Sequence, residues 1–284
     1  MSNFFSLAML GSLLDSAAPL MLGSLGALFT ELSGALGIFI EGFMSLGSFF
    51  AWIIAGRTGS VLAGTALAAV LAALAGWALA RFVTLTGADP FIAGLALNLA
   101  AGGVTEALSI AWFGGKGVLR NPDLAIPGPL LGVQPSVYAA WGFTVLGALL
   151  IGRTRLGLRL RAAGKSPLAA LERGLRPERY REFAWAAAAF LAALAGAALT
   201  FRVGSYAPGG IAGRGWICLA AVYLGFRRVW GVAAAALIFT LAERTGMSLQ
   251  IFGALPPTAL LGLPSALALG LYTVSASIRD RAKP

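Results

Sequence analysis

Apolar runs approaching the length of a membrane crossing recur along the whole chain, at 19–32, 36–54, 60–82, 91–111, 137–151, 183–201, 215–226, 229–241 and 258–277. A helix needs about 20 mostly apolar residues to cross roughly 30 Å of hydrocarbon. Several of these runs are short for a full crossing. Those predict broken or re-entrant helices, which a bilayer permits only where the loose backbone is buried in protein. The first residues, 3–14, read either as an interfacial helix or as part of the first span. No basic stretch precedes them, so no signal peptide is expected. The expected fold is an all-α membrane protein, a polytopic helical bundle of about 8–10 transmembrane segments, some broken. A single domain over 1–284 accounts for the whole chain, with one basic loop at 153–182.

Charge is scarce and one-sided. Only 11% of residues are charged, where a soluble chain is nearer a quarter. There is no histidine and one cysteine, Cys218. The commonest general base and metal ligand are thus missing, and an internal disulfide is excluded. No catalytic dyad or triad is seen, so no enzyme activity and no bound cofactor or metal are expected. The net charge of +10 would suit a nucleic-acid partner in a polar chain. Here it reads as sidedness across a membrane, where Lys and Arg favour the cytoplasm. Segment 153–181 alone holds nine of the 21 Lys and Arg. Placing it inside and alternating the spans brings Arg81, Arg227, Arg228, Arg279, Arg281 and Lys283 to the same side. Arg57, Lys116, Arg120, Arg202, Arg214 and Arg244 remain outside. The C-terminus is then cytoplasmic and the N-terminus external.

The external segment 114–136 carries Pro122, Pro127, Pro129 and Pro135 and reads as an ordered loop. Pro256-Pro257 also falls outside. Alanine and glycine crowd the spans, as at 184–198, which lets helix backbones approach closely in lipid.

The basic loop contains "RLRAAGKSPLAALERGLRPERYRE", residues 159–182. Gly164-Lys165-Ser166 looks like the end of a phosphate-binding loop, but the first glycine of G-x-x-x-x-G-K-[ST] would fall on Arg159. As local structure the stretch reads differently. Ser166 is a good N-cap and Pro167 suits the first helical position. Leu168, Ala169, Ala170, Leu171, Glu172 and Arg173 favour helix, and Gly174 can end it in a left-handed conformation. A short capped helix results, with Leu168 and Leu171 on its apolar face and Ala169 and Ala170 permitting close approach. Pro177 opens the next helix, with Tyr180 and Trp185 near the interface. Pressing into another protein and resting on anionic headgroups are both open to such a helix.

"GLRLRAAGKSPLAALERGL" resembles the cytoplasmic segment of permeases in the branched-chain amino acid/simple sugar superfamily of ABC importers, closest to the nucleoside and simple-sugar subgroup. Arg161, Ala162, Gly164, Ser166, Pro167, Ala169, Ala170 and Gly174 match its R-A-x-G-x-[NS]-P-x-A-A-x-x-x-G pattern. "ADPFIAGLALNLAAGGVTEAL", 88–108, resembles the family's "vsGlalNllalGlt" span. "GRGWICLAAVYLG", 213–225, resembles "GrGfiAlAavifG". One element departs. The family's "aGvvNiGlEGmmllGA" reads "SGALGIFIEGFMSLGSF" at 33–49: Glu41, Gly42 and Met44 match, the asparagine is Gly37 and a glycine is Phe39.

This resemblance implies a transmembrane subunit of a bacterial ABC importer, multi-pass in the inner membrane. It implies ABC ATPase subunits that hold ATP and magnesium, an external substrate-binding protein and a second homologous permease. The departure at 33–49 fits one half of a heterodimeric pair. The 167–173 helix would be the coupling helix, with Ser166, Pro167, Leu168, Ala169, Ala170, Leu171 and Gly174 at the ATPase. The implied solute is a nucleoside or simple sugar, with riboflavin as the alternative; few charges at span centres favour a neutral, hydroxyl-rich molecule. An ATP-independent secondary transporter and a membrane scaffold without a path are the rival classes. Polar groups within the spans are costly and often functional. Asn98, Glu41, Thr105 and Glu106 are the candidate pathway residues. Asn98 would otherwise bond across helices, and Glu41 would otherwise satisfy backbone at a break beside Gly42. Arg202 and Arg214 flank an outer loop that could meet acidic residues of the binding protein.

Overall fold

The computed structural model describes residues 7–115, 117–121, 124, 128–130 and 132–251. The expected span at 258–277, Pro256-Pro257, Lys116, Pro122, Pro127 and the cations Arg279, Arg281 and Lys283 lie outside the described residues.

Among the described residues the chain forms ten helices: α1 (Leu7–Leu32), α2 (Ile40–Thr58), α3 (Val61–Thr86), α4 (Pro90–Phe113), α5 (Pro135–Arg153), α6 (Arg155–Lys165), α7 (Pro167–Glu172), α8 (Pro177–Val203), α9 (Arg214–Leu224) and α10 (Val229–Ile251). Leu119–Tyr206 and Leu130–Val133 form isolated bridges in the loops. Five helices, Met9–Leu32, Val61–Thr86, Pro90–Phe113, Pro135–Arg153 and Pro177–Val203, are long and apolar enough to cross a membrane. The chain is a multi-pass helical membrane protein. Residues 7–14 belong to the first span rather than to a separate interfacial helix.

Local sequence sets the helix ends. Ser60 caps α3 by accepting from the Ala63 N–H, and Asp89 caps α4 by accepting from Phe91 and Ile92. Pro90, Pro135, Pro167 and Pro177 open four helices at a position where no N–H is needed.

Two faces emerge from contacts between distant segments. Gly164 touches Leu32 and Gly34 at the end of α1, and Arg227 pairs with Glu31 at 2.7 Å. Arg81 pairs with Glu182 at 3.1 Å, at the start of α8. The end of α1, the 154–176 segment and the turn after α9 therefore share one face, here the basic face. Gly11 touches Gly132, and Asp15 accepts from the Gln134 N–H at 2.7 Å, so α1 begins at the opposite face. α10 returns there, where Arg244 donates to Ser12 Oγ at 2.8 Å and Ser16 Oγ at 2.9 Å.

α1 is the hub. It packs on α8, α10, α9 and α5, and 78% of its apolar window is buried, against 17% for α4. The α2–α8 contact depends on missing side chains. A Cβ on Gly47 would fall 2.3 Å from Ala193 Cα, and one on Gly196 would fall 1.9 Å from the Met44 carbonyl oxygen. Small residues bring these backbones together where lipid supplies little hydrophobic drive. Trp185 is not at the interface, as its sequence position suggests. It is fully buried, its indole N–H donates to the Ala35 carbonyl at 3.2 Å, and its ring lies 4.7 Å from that of Phe39. A span entered at Pro177 has already reached the core two turns later.

Candidate functional site

Two of the helices are broken inside the bundle, and their loose ends meet. The chain does not pass directly from α1 to α2. Residues 33–39 run without helix, and α2 restarts at Ile40. Thr30 stitches the near side: its hydroxyl donates to the Ala27 carbonyl and accepts from the Gly37 N–H at 2.9 Å. Asn98 of α4 stitches the far side. Its Nδ2 donates to the Ile38 carbonyl at 2.8 Å, and its Oδ1 accepts from the Gly42 N–H at 2.7 Å. The second break precedes α9, an 11-residue helix that starts within the bundle and ends at the basic face. Glu41 caps it: Oε1 accepts from the Gly213 N–H at 2.8 Å and Oε2 from the Gly215 N–H at 2.6 Å. A carboxylate against a helix N-terminus is favoured by both hydrogen bonds and the helix dipole. A Cβ on Gly215 would fall 2.5 Å from the Glu41 nitrogen, so only glycine admits this approach.

The result is one polar chain, from Asn98 through the start of α2 and Glu41 to the start of α9. It ties three helices together at two points where backbone would otherwise be unpaired in an apolar medium. Both side chains are only partly buried, so the network borders open space rather than being sealed within the core.

Thr105 and Glu106 lie about 10 Å further along α4 at 1.5 Å per residue. The structure does not bring them to the Asn98–Glu41 network. Thr105 is buried and bonds back to the Ala101 and Gly102 carbonyls of its own helix; Glu106 is partly buried. Thr105 shares a face of α4 with Ser109, and both lie beside Tyr206. Among the described residues the Tyr206 hydroxyl and Ser109 Oγ are buried and meet no partner at full hydrogen-bond geometry. Burial pushes the Tyr206 hydroxyl above its ordinary range, which keeps it a neutral donor. Phe49 lines the same region, 5.2 Å from the Tyr206 ring and 6.0 Å from that of Trp112. Only the loop fold reveals this group of hydroxyls and rings, because Tyr206 stands outside any apolar run.

A second constellation stands on the basic face. α6 folds back along the end of α5, with Gly157 so close to Leu150 and Ile151 that a Cβ would fall 2.3 Å from the Leu150 carbonyl oxygen. Leu160 and Ala163 face inward. Ser166 then caps α7 by accepting from the Ala169 N–H, Pro167 occupies its first position, and Gly174 follows with φ of 74°. Leu168 is 76% exposed and Leu171 48%. Ala169 is exposed, whereas Ala170 is buried against the chain itself, its carbonyl accepting from Leu175 at 3.0 Å. The outward face of α7 therefore carries Leu168, Ala169 and Leu171.

Compared with known proteins, residues 9–274 match the family described as "Branched-chain amino acid transport system / permease component". The chain is 29% identical over 262 residues to the guanosine ABC transporter permease protein NupQ of Bacillus subtilis, covering 85% of this chain and 81% of that one. It is 27% identical over 254 residues to the nucleoside ABC transporter permease protein NupC of Lactococcus lactis, covering 81% and 79%. A putative glucose ABC transporter permease protein, TsgC13 of Haloferax volcanii, is 27% identical over 278 residues, covering 90% and 82%. No solved structure matches the chain.

Proposed function

Since the chain belongs to the permease-component family of branched-chain amino acid transport systems, we propose that it is the membrane-spanning subunit of an ABC importer for nucleosides, with simple sugars as the neighbouring solute class. Two relatives named for guanosine or nucleoside transport support this order. The observation that carries the mechanism is α7: a capped six-residue helix outside the bundle, with Leu168 and Leu171 exposed on a strongly basic segment. An ATPase subunit docked on that face would push on α6, whose end is clamped to the α1–α2 break through Gly164. Alternating access then follows as a shift between two packings of the broken helices, biased by nucleotide in the partner. A second homologous permease would complete the path, and an external binding protein would deliver solute. On this reading the basic face is cytoplasmic, and the bias of Lys and Arg toward that side would put the C-terminus there too. A secondary transporter would need a coupling acid, and Glu41 already accepts two backbone N–H groups.

The test is uptake by the reconstituted assembly, with and without ATP, of labelled guanosine, glucose and riboflavin in competition. ATP-dependent guanosine uptake, displaced by other nucleosides, is expected. Uptake driven by an ion gradient without ATP would refute the importer, and a preference for riboflavin would refute the solute.

A further inference from the structure

The helices around α1 form a ring with one opening. α8 packs on α2, α2 on α9, α9 on α10 and α10 on α5, but between α5 and α8 the one ring contact among the described residues is Phe143 edge-on to Phe190 at 5.8 Å. The gap between them is a cleft floored by α1 and holding two cavities in succession. One of about 190 Å³ lies toward the opposite face, bounded by Leu22, Val61, Leu62, Leu194 and Ala198. The other, about 120 Å³, lies toward the basic face between Leu25, Phe29, Phe143, Leu150 and Phe190. The second is wholly apolar. The first turns polar at its outer end, where Gln134, Ser136 and Arg202 join the wall.

Arg202 is in the last turn of α8 and is exposed. Among the described residues it has no ion pair or hydrogen bond. Its cationic neighbours are engaged: Arg214 with Glu243 at 3.9 Å, Arg244 with Ser12 and Ser16. Among the described residues, the charged groups that act on Arg202 are Arg214, Arg244, Asp15 and Glu243, so the described cations outnumber the acids at the outer mouth of an apolar slot.

We propose that this cleft is a phospholipid site, with acyl chain along the two cavities and headgroup phosphate on Arg202. The charge surplus calls for an anion, and the apolar run below it calls for a hydrocarbon tail attached to that anion. A helix, about 10–12 Å across, is too thick for slots of this volume. Guanidinium and phosphate form paired, charge-assisted hydrogen bonds, and an arginine at a helix end sits at headgroup depth. The bound lipid fills the ring around α1 where protein closes it only through the Phe143–Phe190 contact.

The experiment uses the complete transporter purified in mild detergent. Native mass spectrometry counts retained phospholipid, and the delipidated assembly is then melted with phosphatidylglycerol, with inorganic phosphate alone, or with an uncharged alkyl detergent. One firmly held phospholipid per copy of this chain is expected, with stabilisation by phosphatidylglycerol and by neither other arm. Arg202→Gln should weaken phosphatidylglycerol about fivefold, and Ala198→Trp, which fills the outer cavity, should abolish retention. Arg202→Gln alters only an exposed helix end, so it decides the matter if Ala198→Trp fails to assemble. Retention and melting unchanged by Arg202→Gln would overturn the proposal. So would equal stabilisation by the alkyl detergent or by phosphate alone, or a disulfide between Leu62→Cys and Ser136→Cys of neighbouring permeases. Loss of binding-protein affinity in Arg202→Gln with lipid fully retained would assign the arginine to docking and likewise overturn it.

Discussion

Gly164 and Gly34 meet backbone to backbone: a Cβ on Gly164 would fall 2.8 Å from the Gly34 nitrogen, and one on Gly34 would fall 2.8 Å from the Gly164 carbonyl oxygen. Gly34 also holds φ of 82°, a left-handed conformation that side chains resist. This contact joins the end of α6 to the break between α1 and α2. Gly164→Val should part the two segments at a cost of about 1–3 kcal/mol. Purified assembly should melt earlier, and ATP consumed per solute imported should rise severalfold. Unchanged coupling would mean that force reaches the spans by another route.

Glu41 accepts two N–H groups at the start of α9. Glu41→Gln leaves one of them facing an amide N–H₂ and removes the charge favoured by the helix dipole. The expected loss is about 1–3 kcal/mol of stability, with transport reduced while the external binding protein keeps its solute affinity. Thermal melting and solute titration check the two parts separately.

The two faces of α7 separate docking from folding. Leu168→Asp, on the exposed side, should weaken ATPase association about tenfold or more, as loss of a buried apolar anchor does, with the permease otherwise unaffected. Ala170→Asp puts a carboxylate into a buried position and should destabilise the permease itself. Co-purification of the ATPase subunit and melting of the isolated permease distinguish them.

Gly37 and Phe39 are coupled. A Cβ on Gly37 would fall 2.8 Å from Phe39 Cζ, and the Phe39 ring is fully buried, edge-on to Phe43 at 5.4 Å. Gly37→Asn alone should cost about 1–3 kcal/mol by overpacking, and Phe39→Gly alone about 3–5 kcal/mol by leaving a cavity. The double variant should cost at least 0.5 kcal/mol less than the sum, within the roughly 0.5–3 kcal/mol found for residues in contact. A melting series over the four proteins measures it; strict additivity would show that the two positions are independent.

Much of the architecture could be read along the chain because it is local. The Ser166 cap, Pro167 and the left-handed Gly174 act within a few residues of one another, and each stands where the spacing puts it. The 215–226 run was too short to span, and α9 is indeed a half-length helix. The hydrogen bonding of Asn98 across helices and of Glu41 at a break also follows from the cost of polar groups among apolar neighbours. Their partners did not follow. Nothing near Glu41 in sequence points to Gly213 and Gly215, 172 and 174 positions away. Trp185 failed as an interface anchor because amphipathic composition does not reveal how deep a helix enters.

The sequence by itself determined that this chain is a multi-pass helical bundle with a basic, capped helix on one face, because lipid forces each span to satisfy its own backbone and because caps and breakers act at short range. Only the tertiary structure decided that α1 is the hub, that two broken helices meet at Asn98 and Glu41, and that a cleft opens between α5 and α8. Those features depend on which small residues face one another across the bundle, and helix packing in an apolar medium is set by shape rather than by the hydrophobic pattern along the chain.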